Sequence, residues 1–156
     1  MLVVLDNTVL SNFGCVNSPE LVLDLWPGLA CSTQGVLSEY HNAVITRGYR
    51  RDCWNALPVI ELTPTEITIA SHLPPRLGCG ERECLAIAIR RQGRFASDDH
   101  IARMLARTHG IALSGSIGIL LAHIQRGTLT LNQANSILKQ MIAAGYRAPV
   151  DDLGTF

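Results

Sequence analysis

Carboxylates recur in this chain at points where one structural element gives way to the next. Asp6 follows directly on the apolar run Met1 to Leu5. Glu39 sits in Val36-Leu37-Ser38-Glu39-Tyr40. Glu81 and Glu83 open a strongly apolar stretch, and Asp98-Asp99 follow Arg94-Phe95-Ala96-Ser97. An acid at the mouth of a buried strand packs poorly, and adjacent acids repel unless a cation or an arginine offsets them. Hard divalent cations such as Mg²⁺ take oxygen ligands, a few carboxylates and several waters. Four such acids with nearby hydroxyls suffice for one or two ions. Ions held in this way can activate water and stabilise the leaving oxygen in phosphodiester hydrolysis.

Each acid also has a plainer explanation. Asp6 precedes a helix and would serve as its N-cap; capping and coordination are compatible. Thr8, two residues on, offers a hydroxyl either to the helix start or to a water or phosphate oxygen. Glu39 borders the apolar stripe of Val36, Leu37, Tyr40 and Val44, and a solvated helix position would explain it. Glu81 and Glu83 both gain from the positive end of a helix. Glu81 shares a face with Leu85, which places it toward the interior and makes it the preferred candidate of the two. Of Asp98 and Asp99, one can cap the next helix and leave the other free.

The elements needed to position these acids alternate along the chain. Met1 to Leu5, Leu29 to Ser32, Val59 to Leu62, Arg94 to Ser97 and Ile111 to Leu113 read as short buried strands. Helices are predicted over Thr8 to Cys15, Pro19 to Trp26, Gln34 to Arg47, Tyr49 to Leu57, Thr63 to Leu73, Glu81 to Gln92, Asp98 to His109, Gly115 to Arg126 and Leu131 to Ala144. Pro74 to Gly80 reads as a loop. This alternation predicts an α/β fold with a parallel sheet covered on both faces. Its strand-to-helix turns lie at the carboxyl edge, where such folds bind ligands.

The 156 residues and the 47% hydrophobic content suit one domain spanning residues 1–156, with a core of about 2–126 and a closing helix and tail over 127–156. No apolar run reaches the ~20 residues needed to span a bilayer. No basic stretch precedes the first apolar run, so a secretory leader is not expected. The five cysteines lack metal-binding spacing and read as reduced, small hydrophobes of a cytoplasmic protein. A formal net charge of +0 gives no global case for nucleic acid. The positive charge is nevertheless almost all arginine, with Lys139 the sole lysine, and arginine forks suit phosphate.

With these elements in order, the chain resembles the PIN domain family of metal-dependent ribonucleases. The resemblance is carried by Val3-Val4-Leu5-Asp6-Asn7-Thr8, Val36-Leu37-Ser38-Glu39, Leu77-Gly78-Cys79-Gly80-Glu81-Arg82-Glu83 and Ala96-Ser97-Asp98-Asp99 with Ala102-Arg103. It is completed by Gly110-Ile111 and Ser114-Gly115-Ser116-Ile117-Gly118-Ile119-Leu120. The last segment is similar to the Gly-Ser/Thr-x-Gly-x-Leu signature of one branch. The resemblance implies a three-layer α/β/α sandwich with a central parallel sheet and an acidic pocket for Mg²⁺ or Mn²⁺. It implies catalytic roles for Asp6, Glu39, Glu81, Asp98 and Asp99, with Asp6, Glu81, Asp98 and Asp99 as metal ligands. Thr8 and Ser116 would be supporting hydroxyls. Arg103 is the first candidate for substrate phosphate, and Asp99 for orienting the attacking water. A VapC-like toxin ribonuclease is implied, with RNA as substrate, a small antitoxin as partner and a homodimeric assembly. Two departures stand out: the third acid is Glu where many relatives have Asp, and the Asp98-Asp99 doublet leaves the fourth ligand open.

Other families with an acid after the first strand fit less well. A phosphatase of the Asp-x-Asp type needs a second acid where Thr8 stands, and a phosphate-receiver domain needs a lysine after a late strand. Gly78-Cys79-Gly80 is followed by Glu81, which would repel a pyrophosphate. The alternative from another class is a PIN-like module that binds RNA or protein without cutting it.

Overall fold

A computed structural model describes residues 1–156. Four short strands, β1 (Val3–Leu5), β2 (Ala30–Cys31), β3 (Arg94–Ala96) and β4 (Ala112–Ser114), form one sheet in the order β2-β1-β3-β4. All its pairings are parallel, with Val3 opposite both Ala30 and Arg94, and Leu113 opposite Phe95. β1 and β2 are buried throughout, which explains why they read as continuous apolar runs rather than alternating ones.

Eight helices cover the sheet. They are α1 (Asn7–Cys15), α2 (Glu20–Leu23), α3 (Gln34–Arg47), α4 (Pro64–His72), α5 (Cys79–Arg91), α6 (His100–Thr108), α7 (Ser116–Gln125) and α8 (Leu131–Ala143). α1 packs with α7 and α8, and α2 with α7, forming one layer. α5 lies against β1 and β3 with α4 and α6 beside it, forming the other; α3 touches both α1 and α5. The result is the three-layer α/β/α arrangement expected from the alternation of elements. Residues from Val3 to Leu153 share a single buried hydrophobic cluster, and α8 contributes Ala134, Leu138 and Met141 to it.

α5 is enclosed on nearly every side: Cys84, Leu85, Ala86, Ile87 and Ala88 are all buried. Burial of consecutive residues marks a helix packed all round rather than along one stripe. Its preceding neighbour, α4, opens with a capping box. The Glu66 N–H donates to Thr63 Oγ1 (3.3 Å), and the Thr63 N–H donates back to Glu66 Oε2 (2.8 Å). The same carboxylate receives Arg91 Nε at 2.6 Å and Arg91 Nη2 at 2.9 Å, tying the start of α4 to the end of α5.

Several predicted elements take a different form. Residues 49–57 make turns, not a helix. Their polar groups are taken elsewhere: the Arg50 carbonyl accepts the Tyr40 hydroxyl (3.0 Å), and Trp54 Nε1 donates to the Leu10 carbonyl (3.1 Å). The predicted strand over 59–62 shrinks to one parallel bridge between Ser32 and Val59. α2 is one turn long, and α5 begins two residues early, at Cys79. At the end of α5 it is Gln92, not Gly93, that takes the left-handed conformation (φ 51°). Gly93 is needed for space instead, since a Cβ there would stand 2.9 Å from the Leu2 carbonyl oxygen.

The Glu66–Arg91 pair yields a stability prediction. The Arg91 guanidinium holds the Glu66 carboxyl down from the ordinary 4.5 to about 2. Glu66 is 1% exposed and the Arg91 side chain 35%. A depressed folded-state pKa means the contribution is complete above pH 4.5 and is lost as pH falls through about 2. Glu66→Gln should therefore cost about 2 to 3 kcal/mol at pH 7, below the usual loss for a fully buried pair because Arg91 is partly solvated. Urea unfolding should show the gap to wild type closing between pH 4 and pH 2. A constant gap across that range would place the effect in packing rather than charge.

Candidate active site

The carboxyl ends of β1 and β3 are adjacent in the sheet, and each releases its chain into a helix through an acid. Asp6 is completely buried and caps α1. Its Oδ1 accepts the Thr8 N–H (2.9 Å), the Thr8 hydroxyl (2.6 Å) and the Val9 N–H (3.3 Å); its Oδ2 accepts the Ser97 hydroxyl. Both hydroxyls pass the connection on. Thr8 Oγ1 accepts the Asp98 N–H (2.8 Å), and Ser97 Oγ accepts the Asp99 N–H (3.1 Å). Asp6 therefore serves as a cap, and is also linked through two hydroxyls to the backbone of the Asp98-Asp99 pair.

One member of the doublet caps the next helix as expected, but the other is not left free. Asp99 caps α6, with Oδ1 accepting the Ala102 N–H at 2.7 Å and its other oxygen free. Asp98 turns toward α1 and α7. Its Oδ1 accepts the Ser116 N–H (2.9 Å) and the Tyr146 hydroxyl (3.2 Å), and its Oδ2 accepts Asn12 Nδ2 (3.0 Å) and the Ser116 hydroxyl (2.5 Å). Thr8 and Ser116 thus both hold carboxylates. Gly115 makes the approach possible, because a Cβ there would stand 2.7 Å from Asp98 Oδ1.

Glu81 and Glu39 meet at the start of α5. Glu81 is half-buried and accepts the Gly78 N–H at 2.9 Å. Glu39 reaches across from α3 to accept the Gly80 N–H at 3.0 Å. A Cβ at Gly80 would lie 3.0 Å from Glu39 Oε1 and 2.7 Å from Val36 Cγ2, so glycine lets the two helices close. Glu83 turns away toward Gly35 and Cys79, and its Oε2 is buried without a partner. Arg103 braces the strand ends: Nη1 donates to the Ser97 and Ser114 carbonyls, both at 2.6 Å.

Negative charge accumulates here, and Arg103 gives its Nη1 to carbonyls rather than pairing with an acid. Burial pushes Asp6 from the ordinary 3.8 to about 7, against the pull of Ser97 and Thr8, and the charges of Asp98 and Glu81 add to the rise. Burial also raises Glu81, with Asp99 and Glu39 adding to it. The two ion pairs of the protein, Arg50–Asp52 and Arg91–Glu66, involve none of these acids. Four helix N-termini supply the compensation instead: α1 at Asp6, α5 at Glu81, α6 at Asp99 and α7 at Asp98.

A family model described as a PIN domain matches residues 2–153. The chain belongs to the PIN domain family. PIN domains are generally nucleases and typically depend on divalent metal, and this member has the nuclease-like fold. Searches of curated proteins and of solved structures return no match.

The donor chemistry of this PIN domain suits a hard cation: carboxylate and hydroxyl oxygens, no acid held in an ion pair, and a buried central acid. No three of its acids stand as a ready-made ligand cage. The carboxylates are turned toward N–H and O–H donors, and Asp99 and Glu81 retain oxygens outside these bonds. Ser97, Asn12 and Tyr146 were not singled out from sequence. Asn12 had a signal, a polar residue on the otherwise apolar face of α1, where it is 9% exposed. Ser97 and Tyr146 had none, since their partners lie 91 and 48 residues away.

An acid with a raised folded-state pKa destabilises the fold as pH climbs from its unfolded value to its folded one. For Asp6 that window runs from 3.8 to about 7. In EDTA at pH 8, Asp6→Asn should be more stable than wild type by about 2 to 4 kcal/mol, with the advantage vanishing near pH 4. Calorimetry across pH checks this. A variant less stable than wild type at pH 8 would show that the carboxylate is not the strained group.

Proposed function

We propose that this PIN domain is a metal-dependent endoribonuclease acting with Mg²⁺ or Mn²⁺, and the toxin of a VapC-like toxin–antitoxin pair. The observation that carries the reading is the buried Asp6, linked through two hydroxyls to Asp98 and Asp99 while its charge is met by no basic side chain. Such a site gains from a cation and from little else. Asp6, Asp98, Asp99 and Glu81 would hold the ion, with Glu39 steadying the start of α5. When bound, the ion supplies the positive charge that activates water and offsets charge on the phosphate. The chain's own part is to fix those carboxylates: Thr8 and Ser97 orient Asp6, while Ser116, Asn12 and Tyr146 orient Asp98. The free Asp99 oxygen would orient the attacking water. Arg103 serves the strand ends first, and its remaining guanidinium nitrogens face substrate phosphate.

The observation favouring a second reading is that Asp98 already accepts four hydrogen bonds, as a purely structural acid would in a non-catalytic RNA- or protein-binding module. One experiment separates the two. Purified protein with an unstructured RNA and millimolar Mn²⁺ should give internal cleavage, and Asp98→Ala should reduce the rate at least ~100-fold. Wild-type protein that leaves RNA intact while binding it would establish the module. For the biological role, expression should arrest growth and Asp6→Ala should relieve the arrest; equal toxicity of that variant would exclude nuclease action as its cause. The toxin reading also supports a small antitoxin partner, a homodimer and a cytoplasmic setting. No helix is long and apolar enough to cross a membrane.

A further inference from the structure

Asp98 has no lone pair to spare. A carboxylate offers about four acceptor positions, two on each oxygen. In Asp98 all of them are taken: Oδ1 by the Ser116 N–H and the Tyr146 hydroxyl, Oδ2 by Asn12 Nδ2 and the Ser116 hydroxyl. The neighbouring acids are less fully engaged. Asp6 Oδ2 accepts the Ser97 hydroxyl alone, and Asp99 keeps one oxygen outside any hydrogen bond. A cation drawn to this site therefore meets open lone pairs on Asp6 and Asp99 and none on Asp98. One of the four donors has to leave before Asp98 can serve as a ligand.

The donors differ in how readily they can leave. Ser116 is fully buried at the start of α7, and the helix fixes its N–H in place. Asn12 is buried on α1, and its Nδ2 also donates to Ser116 Oγ (3.1 Å). Moving either disturbs a helix of the core. Tyr146 stands outside the helices, is only half-buried, and makes the longest of the four bonds at 3.2 Å. Clefts of about 500 and 670 Å³ both include Asp98 and Tyr146 in their walls, so open space flanks the ring. Gly145 precedes it at φ 112°, a conformation that glycine alone adopts readily. The Tyr146 N–H is held by the Met141 carbonyl (3.0 Å), and the chain is next tied at Asp152 and Leu153, both bonded to Asn135 of α8. Residues 147–151 between these ties make no hydrogen bond. Burial and the Asp98 charge push the Tyr146 hydroxyl above its usual range, so it stays protonated and remains a donor.

We infer that Tyr146 is a latch on the cation site: while its hydroxyl holds Asp98 Oδ1, Asp98 is closed to an ion, and the ring must swing into a flanking cleft to open it. The strap after α8 thereby sets how readily the site loads. The inference rests on the reading of Asp98 as a cation ligand, and it gives the four hydrogen bonds of that acid a use within a catalytic site.

The test is calorimetric titration with Mn²⁺, without RNA, of wild type and of Tyr146→Phe, which keeps the ring and removes the donor. The variant should bind Mn²⁺ about 5- to 20-fold more tightly, because a hydrogen bond to a charged acceptor no longer has to be broken. A second readout needs no variant to fold. Mn²⁺ should perturb the tyrosine ultraviolet difference spectrum of wild type, as the hydroxyl exchanges Asp98 for water, and the signal should vanish in Tyr146→Phe. Equal or weaker Mn²⁺ binding by the variant, or a wild-type spectrum that ignores bound Mn²⁺, would overturn the latch and leave the cation site standing. Millimolar Mn²⁺ that binds neither protein would remove the cation site and the latch with it. Binding by the variant alone would show the latch fully closed in wild type.

Discussion

Asp6 is fully buried with no basic side chain paired to it, and what makes it tolerable is the way the helices around it begin. In a parallel sheet every strand leads at its carboxyl end toward a helix, and the start of each helix presents unpaired N–H groups. Asp6 uses those of α1 directly. Through the hydroxyls of Thr8 and Ser97 it also reaches the backbone where β3 gives way to α6. The acids, the helix starts and the order β2-β1-β3-β4 are therefore one constraint: only neighbouring parallel strands bring these turns together. The raised pKa of Asp6 measures how incomplete the compensation is.

That coupling explains which parts of the site could be read along the chain. An N-cap, a capping box or an acid in the first turn of a helix declares itself within four residues. Asp6, Thr8 and Glu81 were all legible in this way. Asp98 was legible as one half of a doublet, but the division of labour with Asp99 depended on contacts from α1 and α7. Asn12, Ser116 and Tyr146 converge on Asp98 from 86, 18 and 48 residues away, and no local pattern encodes such a meeting.

The fold shows the same boundary between local and distant causes. Apolar periodicity marks α3 and α8 because burial of a face is written into spacing. It fails over residues 49–57, where the Arg50 carbonyl and the Trp54 indole are claimed by Tyr40 and Leu10 from other elements. The strand predicted after Pro58 is reduced because only Ser32 remains as a partner at that edge. The left-handed Gln92 and the glycine after it follow a similar rule: the space beside Leu2, far earlier in the chain, decides that residue 93 must lack a side chain.

The reach of Tyr146 back to Asp98 has a consequence for how the protein comes into being. Chains emerge N-terminus first, at about 5 to 20 residues per second. Asp98 is synthesised 18 residues before Ser116 and 48 before Tyr146, so it waits roughly 2 to 10 seconds for its last hydrogen-bond partner. Through that interval the aspartate lacks one of the groups that aim it. A nascent chain thus carries an incompletely aimed acid until the segment after α8 has emerged.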